Sequence, residues 1–159
     1  MITIFFLLII IFNFRYNKTK LHIFRENYTI FVPVHLENHW TGVVINQKDN
    51  KITYIDSFKK KNNNCLDTLL KYLYEKRIQM NIINPNTSFS DFKKSWVKLY
   101  LHETLREKFP FQKNSYDCGV FLILYFAYLV HEKDFDFFEQ NFDKKRFAIF
   151  YNIFNQRIW

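Results

Sequence analysis

The residues from Cys118 to Val130 limit the fold more than any other part of the sequence, because they are apolar on nearly every side of a helix. The length of the run favours a helix over a strand, since strands rarely exceed about eight residues. A helix that is apolar all round is stable only when other elements cover it. A chain of 159 residues has room for one hydrophobic core, so we expect this helix at its centre.

Short β-rich runs earlier in the chain predict a sheet for that helix to pack on. Residues 29–34 form the first predicted strand, and Pro33 places it at an edge or an end of the sheet. Residues 40–45 and 51–56 lie on either side of the turn-forming sequence 47–50. They therefore predict an antiparallel hairpin.

The remaining segments add helices and one more strand. Residues 64–79 carry leucines at helical spacing and predict an amphipathic helix, with Asn64 as its candidate cap. Residues 81–95 are polar and predict a loop, and residues 96–101 predict a strand. Residues 144–156 carry aromatic side chains at helical spacing and predict a final helix. The predicted fold class is therefore α+β, with a small central sheet flanked by helices.

The first 27 residues are atypical, and we place the predicted domain at residues 28–159. Residues 2–14 are mostly apolar, but they fall short of the roughly 20 residues that cross a bilayer. They lack the basic start and the small-residue cleavage site of a signal peptide. Three interpretations stay open: a buried core element, a weak membrane anchor, which is not favoured, or the misassigned start of a longer chain.

The formal net charge of +8 would suit an acidic partner. The lysines and arginines are spread along the chain, however, and the densest run is 59–61, beside asparagines. A solvated loop is favoured over a nucleic-acid patch there, because no nucleic-acid motif accompanies the run. We therefore expect no nucleic-acid partner. Oligomeric state stays open.

The cysteine content excludes several kinds of site. With Cys65 and Cys118 as the only cysteines, the chain has no disulfide framework and no paired-cysteine zinc site. A reducing compartment is the natural expectation. No motif indicates a metal or another cofactor, so we expect none.

Three residues have the chemistry of a cysteine hydrolase, which needs a thiolate, a base and a group that orients the base. Cys118 lies where a loop enters the apolar helix, and the free amides of a helix N-terminus stabilise a thiolate. His39 precedes one hairpin strand and Asp56 ends the other, so the two can meet at one end of the sheet. A buried structural cysteine, a loop histidine and a turn aspartate are the alternatives for each residue alone.

Three further residues complete a candidate site. Gln112, in the loop before Cys118, carries an amide that can donate to an oxyanion together with the backbone amide of Cys118. Gly119 would let a substrate backbone approach closely, and Trp40 offers a flat wall for a small, extended substrate. Core packing is the alternative for Trp40 and Gly119.

Four strings and a closing segment together resemble one family, the ubiquitin-like-specific (SUMO or sentrin) proteases. They follow the family's order of His, Asp, Gln and Cys, and the resemblance covers about residues 30–153. The strings are Val32-Pro33-Val34-His35, His39-Trp40-Thr41-Gly42, Tyr54-Ile55-Asp56-Ser57, Gln112-Lys113-Asn114-Ser115-Tyr116-Asp117-Cys118-Gly119-Val120-Phe121, and residues 138–143 leading to Arg146.

The resemblance implies a papain-like cysteine protease fold and a role for each site residue. His39 would be the general base, Asp56 its orienting carboxylate, and Cys118 the nucleophile. Gln112 would be the oxyanion donor, and Trp40 would cover the Gly-Gly tail of the substrate. The family cleaves after the terminal Gly-Gly of a ubiquitin-like modifier, so SUMO is the first expected partner.

The resemblance leaves some alternatives open. The family's N-terminal portion carries a tryptophan motif that helps to grip the modifier, and no tryptophan precedes Trp40 here. A non-catalytic or truncated modifier-binding relative, or a protease for ubiquitin or another modifier, is therefore the alternative. The nucleus or the cytoplasm is the compartment that the family likeness implies.

Four other residues are assigned to structure rather than to chemistry. His35 and His102 do not form a zinc-binding helix motif and are expected at the surface or with satisfied hydrogen bonds. Cys65 begins an amphipathic helix and is expected to pack. Asp117 is expected to cap the following helix or to make a loop hydrogen bond, with capping favoured over a catalytic role.

Overall fold

A mixed sheet forms the centre of the structure, a computed structural model that describes residues 10–12, 24, 28–137 and 142–154. Within these residues the sheet has five strands in chain order, and only the last pair is parallel. The strands are β1 (Ile10–Phe12), β2 (Thr29–Leu36), β3 (His39–Asn46), β4 (Lys51–Ile55) and β5 (Val97–Tyr100). The helices are α1 (Asn63–Gln79), α2 (Phe89–Lys94), α3 (Leu101–Leu105), α4 (Cys118–Val130) and α5 (Phe142–Phe154), with a 3₁₀ turn at Arg106–Lys108.

This architecture confirms the predicted α+β class and most of the predicted elements. The β3–β4 hairpin forms with the expected turn, and residues 97–100 form a strand as predicted. β1 pairs with β2 only as far as Phe31, so Pro33 lies on a stretch of β2 that has no described neighbour on that side. The edge position that proline requires is therefore present.

Two local predictions were wrong. The cap of α1 is Asn62, not Asn64, because the Asn62 side chain accepts a hydrogen bond from the backbone N–H of Cys65 at 2.9 Å. The predicted loop 81–95 contains the short helix α2, which Ser88 caps by accepting from the backbone N–H of Asp91. A serine followed three residues later by an acidic residue is a start signal that the polar composition of the segment concealed.

The sheet separates two apolar clusters because its side chains alternate between the two faces. Ile30, Val43 and Ile52 face α1 and α2, and Phe31 and Ile55 lie in the cluster on the opposite side, with α4. The sheet therefore covers one side of α4, the helix that was predicted to lie at the centre of the hydrophobic core. Phe109, Phe137 and Phe142 cover it elsewhere.

Gly42 lets α4 approach the sheet closely. A Cβ atom added at this position would meet the side chain of Leu122 and would lie 2.7 Å from the ring of Phe126. Both contacts are closer than real Cβ atoms show, so a larger residue here would require the side chains of Leu122 and Phe126 to shift. The start of α4 is thereby held against the part of β3 that follows His39.

Most of residues 1–27 lie outside the described residues, and so do the final residues of the predicted segment 144–156. From the described part of the N-terminal segment, residues 10–12 form β1 at the sheet edge. Among the described residues, no helix combines the length and the apolar character needed to cross a membrane.

Candidate active site

His39 and Asp56 meet at one end of the β3–β4 hairpin, as the sequence predicts. His39 is the first residue of β3 and Asp56 directly follows β4. The Nε2 atom of His39 lies 2.9 Å from Oδ1 of Asp56, whose side chain is only 2% exposed. This bond occupies Nε2, so Nδ1 is the ring nitrogen left to exchange a proton with a substrate or a thiol.

The residue Phe58 fixes both members of this pair. Its backbone N–H donates to the same Oδ1 atom of Asp56 at 2.7 Å. Its ring lies against the imidazole of His39, with ring centroids 4.8 Å apart. The histidine therefore has a bonded edge and a packed face, which restricts its rotation.

Cys118 is the first residue of α4, which confirms its predicted place at the N-terminus of a buried helix. The residue is 7% exposed. The first described intrahelical amide of α4 is that of Phe121, which donates to the backbone oxygen of Asp117 at 2.9 Å. The amides before it lack intrahelical acceptors, so they are suited to stabilise a thiolate or an oxyanion.

Trp40 lies next to Gly119, the residue that directly follows Cys118. Trp40 is 40% exposed, and the ring of His35 supports it at a centroid distance of 4.6 Å. A Cβ atom at Gly119 would lie 3.7 Å from Cδ1 of Trp40. The structure therefore brings together the two residues that were predicted to bind substrate.

Gln112 is buried near the site, and its amide is oriented by a neighbour that the sequence analysis missed. The hydroxyl of Ser57 donates to Oε1 of Gln112 at 2.7 Å, and the backbone N–H of Gln112 donates to the Ser57 carbonyl at 3.0 Å. Nε2 of Gln112 donates to the carbonyl oxygen of Asn114 at 2.7 Å. The role of Gln112 as an oxyanion donor stays a prediction, and it requires an N–H to turn away from Asn114.

Asp117 occupies the N-cap position of α4, but its side chain makes the other contact that was predicted for it. Its side chain makes no capping hydrogen bond. Oδ2 instead accepts from Nδ2 of Asn114 at 2.6 Å, and Oδ1 pairs with the guanidinium of Arg146 on α5. The alternative of a loop hydrogen bond is what the structure shows. α5 is thereby tied to the loop that leads into Cys118.

The remaining candidates lie outside the site. Cys65 lies in the first turn of α1 and is fully buried in the core, and burial raises the pKa of its thiol to about 11. His102 differs from the prediction, because its Nδ1 atom is buried and has no hydrogen-bond partner within the described structure. The described residues contain no cluster of side chains that could hold a metal ion.

The arrangement as a whole is suited to acyl transfer. A thiol at a helix N-terminus, an imidazole and a buried carboxylate supply the nucleophile, the base and the group that orients the base. The sequence analysis missed Ser57 and Phe58, although both directly follow Asp56. Their roles depend on the turn after β4, where the backbone N–H of Lys59 donates to the Asp56 carbonyl at 2.9 Å.

Comparison with known families decides which group this site belongs to. The family described as Ulp1 protease family, C-terminal catalytic domain, matches residues 13–158. The chain belongs to this family. The resemblance seen in the four sequence strings is thereby confirmed.

Several characterised Ulp1 relatives are similar to the chain. Ubiquitin-like-specific protease 1A of Arabidopsis thaliana is 31% identical over 111 residues, which is 70% of this chain and 20% of that protein. Sentrin-specific protease 3 of Homo sapiens is 28% identical over 121 residues, which is 76% of this chain and 19% of that protein. The chain thus spans about a fifth of the length of these relatives.

Solved structures of Ulp1 proteases share the fold. The SUMO protease Ulp1 with its catalytic cysteine oxidised to a sulfenic acid has a TM-score of 0.56 at 25% identity, covering 80% of this chain and 53% of that one. The C-terminal Ulp1 protease domain in complex with Smt3, the yeast ortholog of SUMO, has a TM-score of 0.53 at 24% identity, covering 74% and 48%. The predicted Ulp1-like architecture is therefore confirmed.

Proposed function

We propose that the chain is a cysteine protease that cleaves after the C-terminal Gly-Gly of a ubiquitin-like modifier, with SUMO as the first candidate. The observation that carries the proposal is the hydrogen bond between His39 and Asp56, beside a helix that begins at Cys118. Membership of the Ulp1 protease family supports the same reaction.

The proposed reaction uses these groups in two steps. Nδ1 of His39 takes the proton of the Cys118 thiol, and the sulfur attacks the carbonyl carbon of the terminal glycine. The C–N bond then breaks, and the imidazolium returns the proton to the leaving amine. Water, deprotonated by the same nitrogen, hydrolyses the resulting thioester and frees the thiol. Asp56 holds the ring and stabilises the imidazolium.

The pairing of Trp40 with Gly119 beside Cys118 supports a small, extended substrate such as a Gly-Gly tail. Gly119 has no side chain, and a Cβ atom there would lie 3.7 Å from Cδ1 of Trp40, so a substrate backbone can approach Gly119 closely. The acyl group is the same whether the leaving amine comes from a precursor extension or from a lysine side chain. We therefore infer that one site serves both maturation and deconjugation.

The proposal is tested with modifiers that carry a cysteine-trapping electrophile at the C-terminal glycine. SUMO, ubiquitin and other modifiers are incubated separately with the wild type and with Cys118→Ala, and intact mass is measured. We expect a covalent SUMO adduct with the wild type and none with Cys118→Ala. Adduct formation with ubiquitin alone would overturn the choice of SUMO. The absence of every adduct from a folded chain would overturn the protease proposal in favour of a non-catalytic relative.

We also propose that the protein works in the nucleus or the cytoplasm. Both cysteines are free, and a thiol nucleophile must stay reduced to act. Fractionation of cells that produce a tagged chain tests this proposal. Recovery of the chain in the secretory pathway would overturn it.

A further inference from the structure

Five exposed residues form a continuous surface beside the histidine, which we call the basic rim. They lie in two segments, one directly after Asp56 and one around Gln112. The members of the basic rim are Phe58, Lys59, Lys60, Phe111 and Lys113, and the side chains of all five are exposed.

Contacts between lysines and aromatic rings join these residues into one surface. Nζ of Lys59 lies 4.0 Å from the ring centroid of Phe111, and Nζ of Lys113 lies 6.0 Å from the same centroid. Nζ of Lys60 lies 5.8 Å from the centroid of Phe58. The ring faces thus hold the ammonium groups close together at the surface.

Within the described residues, no carboxylate neutralises the three ammonium groups of the basic rim. Lys61, the next residue, pairs with Glu103. No described carboxylate lies within 4.0 Å of the ammonium group of Lys59, Lys60 or Lys113. The surface therefore carries an uncompensated positive charge and two exposed aromatic rings, which together suit an acidic peptide segment.

The basic rim lies beside the imidazole of His39, which relates it to the leaving-group half of the proposed substrate. In the proposed reaction His39 gives its proton to the leaving amine, so the leaving group must pass the imidazole. The ring of Phe58 lies against that imidazole. Trp40 and Gly119, the residues predicted to bind the modifier tail, lie next to each other and are not members of the basic rim. The contact of Phe58 with His39 therefore relates the basic rim to the leaving group.

The conformation of the turn after Asp56 keeps Lys59 at this position. Lys59 has a φ of 61°, a left-handed conformation that is uncommon for a side chain of this type. Its backbone N–H donates to the Asp56 carbonyl at 2.9 Å, which closes the turn. The lysine that stacks on Phe111 is therefore anchored to the residue that orients His39.

We propose that the basic rim binds the leaving-group segment of the substrate and selects lysines or extensions flanked by acidic residues. This inference rests on the proposed function, since it concerns the second partner in the same reaction. In this inference, Lys59, Lys60 and Lys113 determine which conjugates of one modifier are cleaved preferentially. Recognition of the modifier itself is independent of them.

The test compares two SUMO–peptide conjugates joined through a lysine isopeptide bond. Glutamates flank the lysine in one peptide, and glutamines flank it in the other. For each enzyme the ratio of kcat/KM values, acidic over neutral, is measured at about 50 mM and about 500 mM salt, because screening weakens exposed charges. The variant is Lys59→Glu with Lys113→Glu. The matched control is Lys48→Glu with Lys71→Glu, which makes the same charge change at exposed sites on the β3–β4 turn and on α1.

We expect the wild type and the control to prefer the acidic conjugate by about tenfold at low salt, with a smaller ratio at high salt. In the rim variant the ratio should fall to one or below. A ratio that is unchanged in the rim variant, or a wild-type ratio of one, would overturn the inference. The electrophilic SUMO probe lacks a peptide leaving group, so its capture by Cys118 in the wild type tests the proposed function separately.

Discussion

The two cysteines of the chain are both buried, but they lie at different kinds of position. Cys65 lies fully inside the core, where burial raises the pKa of its thiol to about 11. Cys118 lies at the N-terminus of α4, beside amides that stabilise a thiolate. Thiol reactivity therefore depends on position in the fold and not on residue type alone.

We predict that iodoacetamide at about pH 7.5 modifies Cys118 and leaves Cys65 intact in the folded chain, because the thiolate is the reactive form. Peptide mass mapping should find one carbamidomethyl group in the wild type and none in Cys118→Ala. Labelling after denaturation should reach both cysteines in the wild type, which is the control. Modification of Cys65 in the folded protein would contradict the prediction.

Individual site residues could be predicted only where a regular element fixes them. His39 and Asp56 were predicted to meet because a hairpin brings its outer ends together. The turn after β4 and the loop before Cys118 gave no such rule, so the contact of Ser57 with Gln112 was missed and the partner of Asp117 was not identified. Asp117 is a favourable cap residue, but its side chain pairs with Arg146 instead. Arg146 lies 29 positions later, so local sequence patterns do not reveal the pairing.

At the scale of elements, the contact between α4 and β3 sets the position of the nucleophile. The helix lies directly over Gly42, whose missing side chain leaves room for Leu122 and Phe126. An added methyl group must displace the ends of these two side chains, since packed interiors offer little free volume.

We predict that Gly42→Ala lowers the free energy of unfolding by about 1–3 kcal/mol, as overpacking of a filled core does. Gly119→Ala is the matched control, because its Cβ would make an ordinary contact of 3.7 Å with Trp40. Urea unfolding of both variants and the wild type measures the difference. Equal stability of Gly42→Ala and the wild type would show that α4 adjusts freely.

The long elements could be predicted from the sequence, whereas the short helices could not. The helices α1 and α4 and the β3–β4 hairpin follow from long periodic patterns. The short helices α2 and α3 were missed, because six and five residues carry too little periodicity to outweigh polar or β-type composition. Such short elements are fixed by caps and tertiary packing rather than by propensity.

At the scale of the whole molecule, His102 makes the free energy of unfolding depend on pH. Burial lowers the pKa of His102 below its ordinary 6.5, and its Nδ1 atom has no partner within the described structure. The unfolded chain therefore binds this proton more readily than the folded chain does. Stability must fall as the pH drops below about 6.5 and is unaffected by this group at higher pH.

We predict that His102→Gln flattens the pH dependence of the unfolding free energy between pH values of about 7.5 and 5. Thermal or urea unfolding across that range measures the slope. His131→Gln, at an exposed residue at the end of α4, is the control and should keep the wild-type slope. If His102→Gln loses as much stability in acid as the wild type, another group is responsible.

The order of the strands could not be predicted from the sequence. β5 lies parallel to β4 after a connection that contains α1 and α2, and nothing in the residues of β5 specifies its neighbour. The apolar pattern defines which faces are buried, whereas the pairing depends on how the helices fill the space between the strands.

The ion pair between Arg146 and Asp117 also affects the order in which the site is completed during synthesis. A ribosome makes the histidine, the carboxylate, the thiol and the loop before it makes α5. Until Arg146 emerges, the buried carboxylate beside the thiol lacks its counter-charge. A nascent chain therefore carries every reactive group before it has the ion pair from α5, so the site is completed only after α5 has been made.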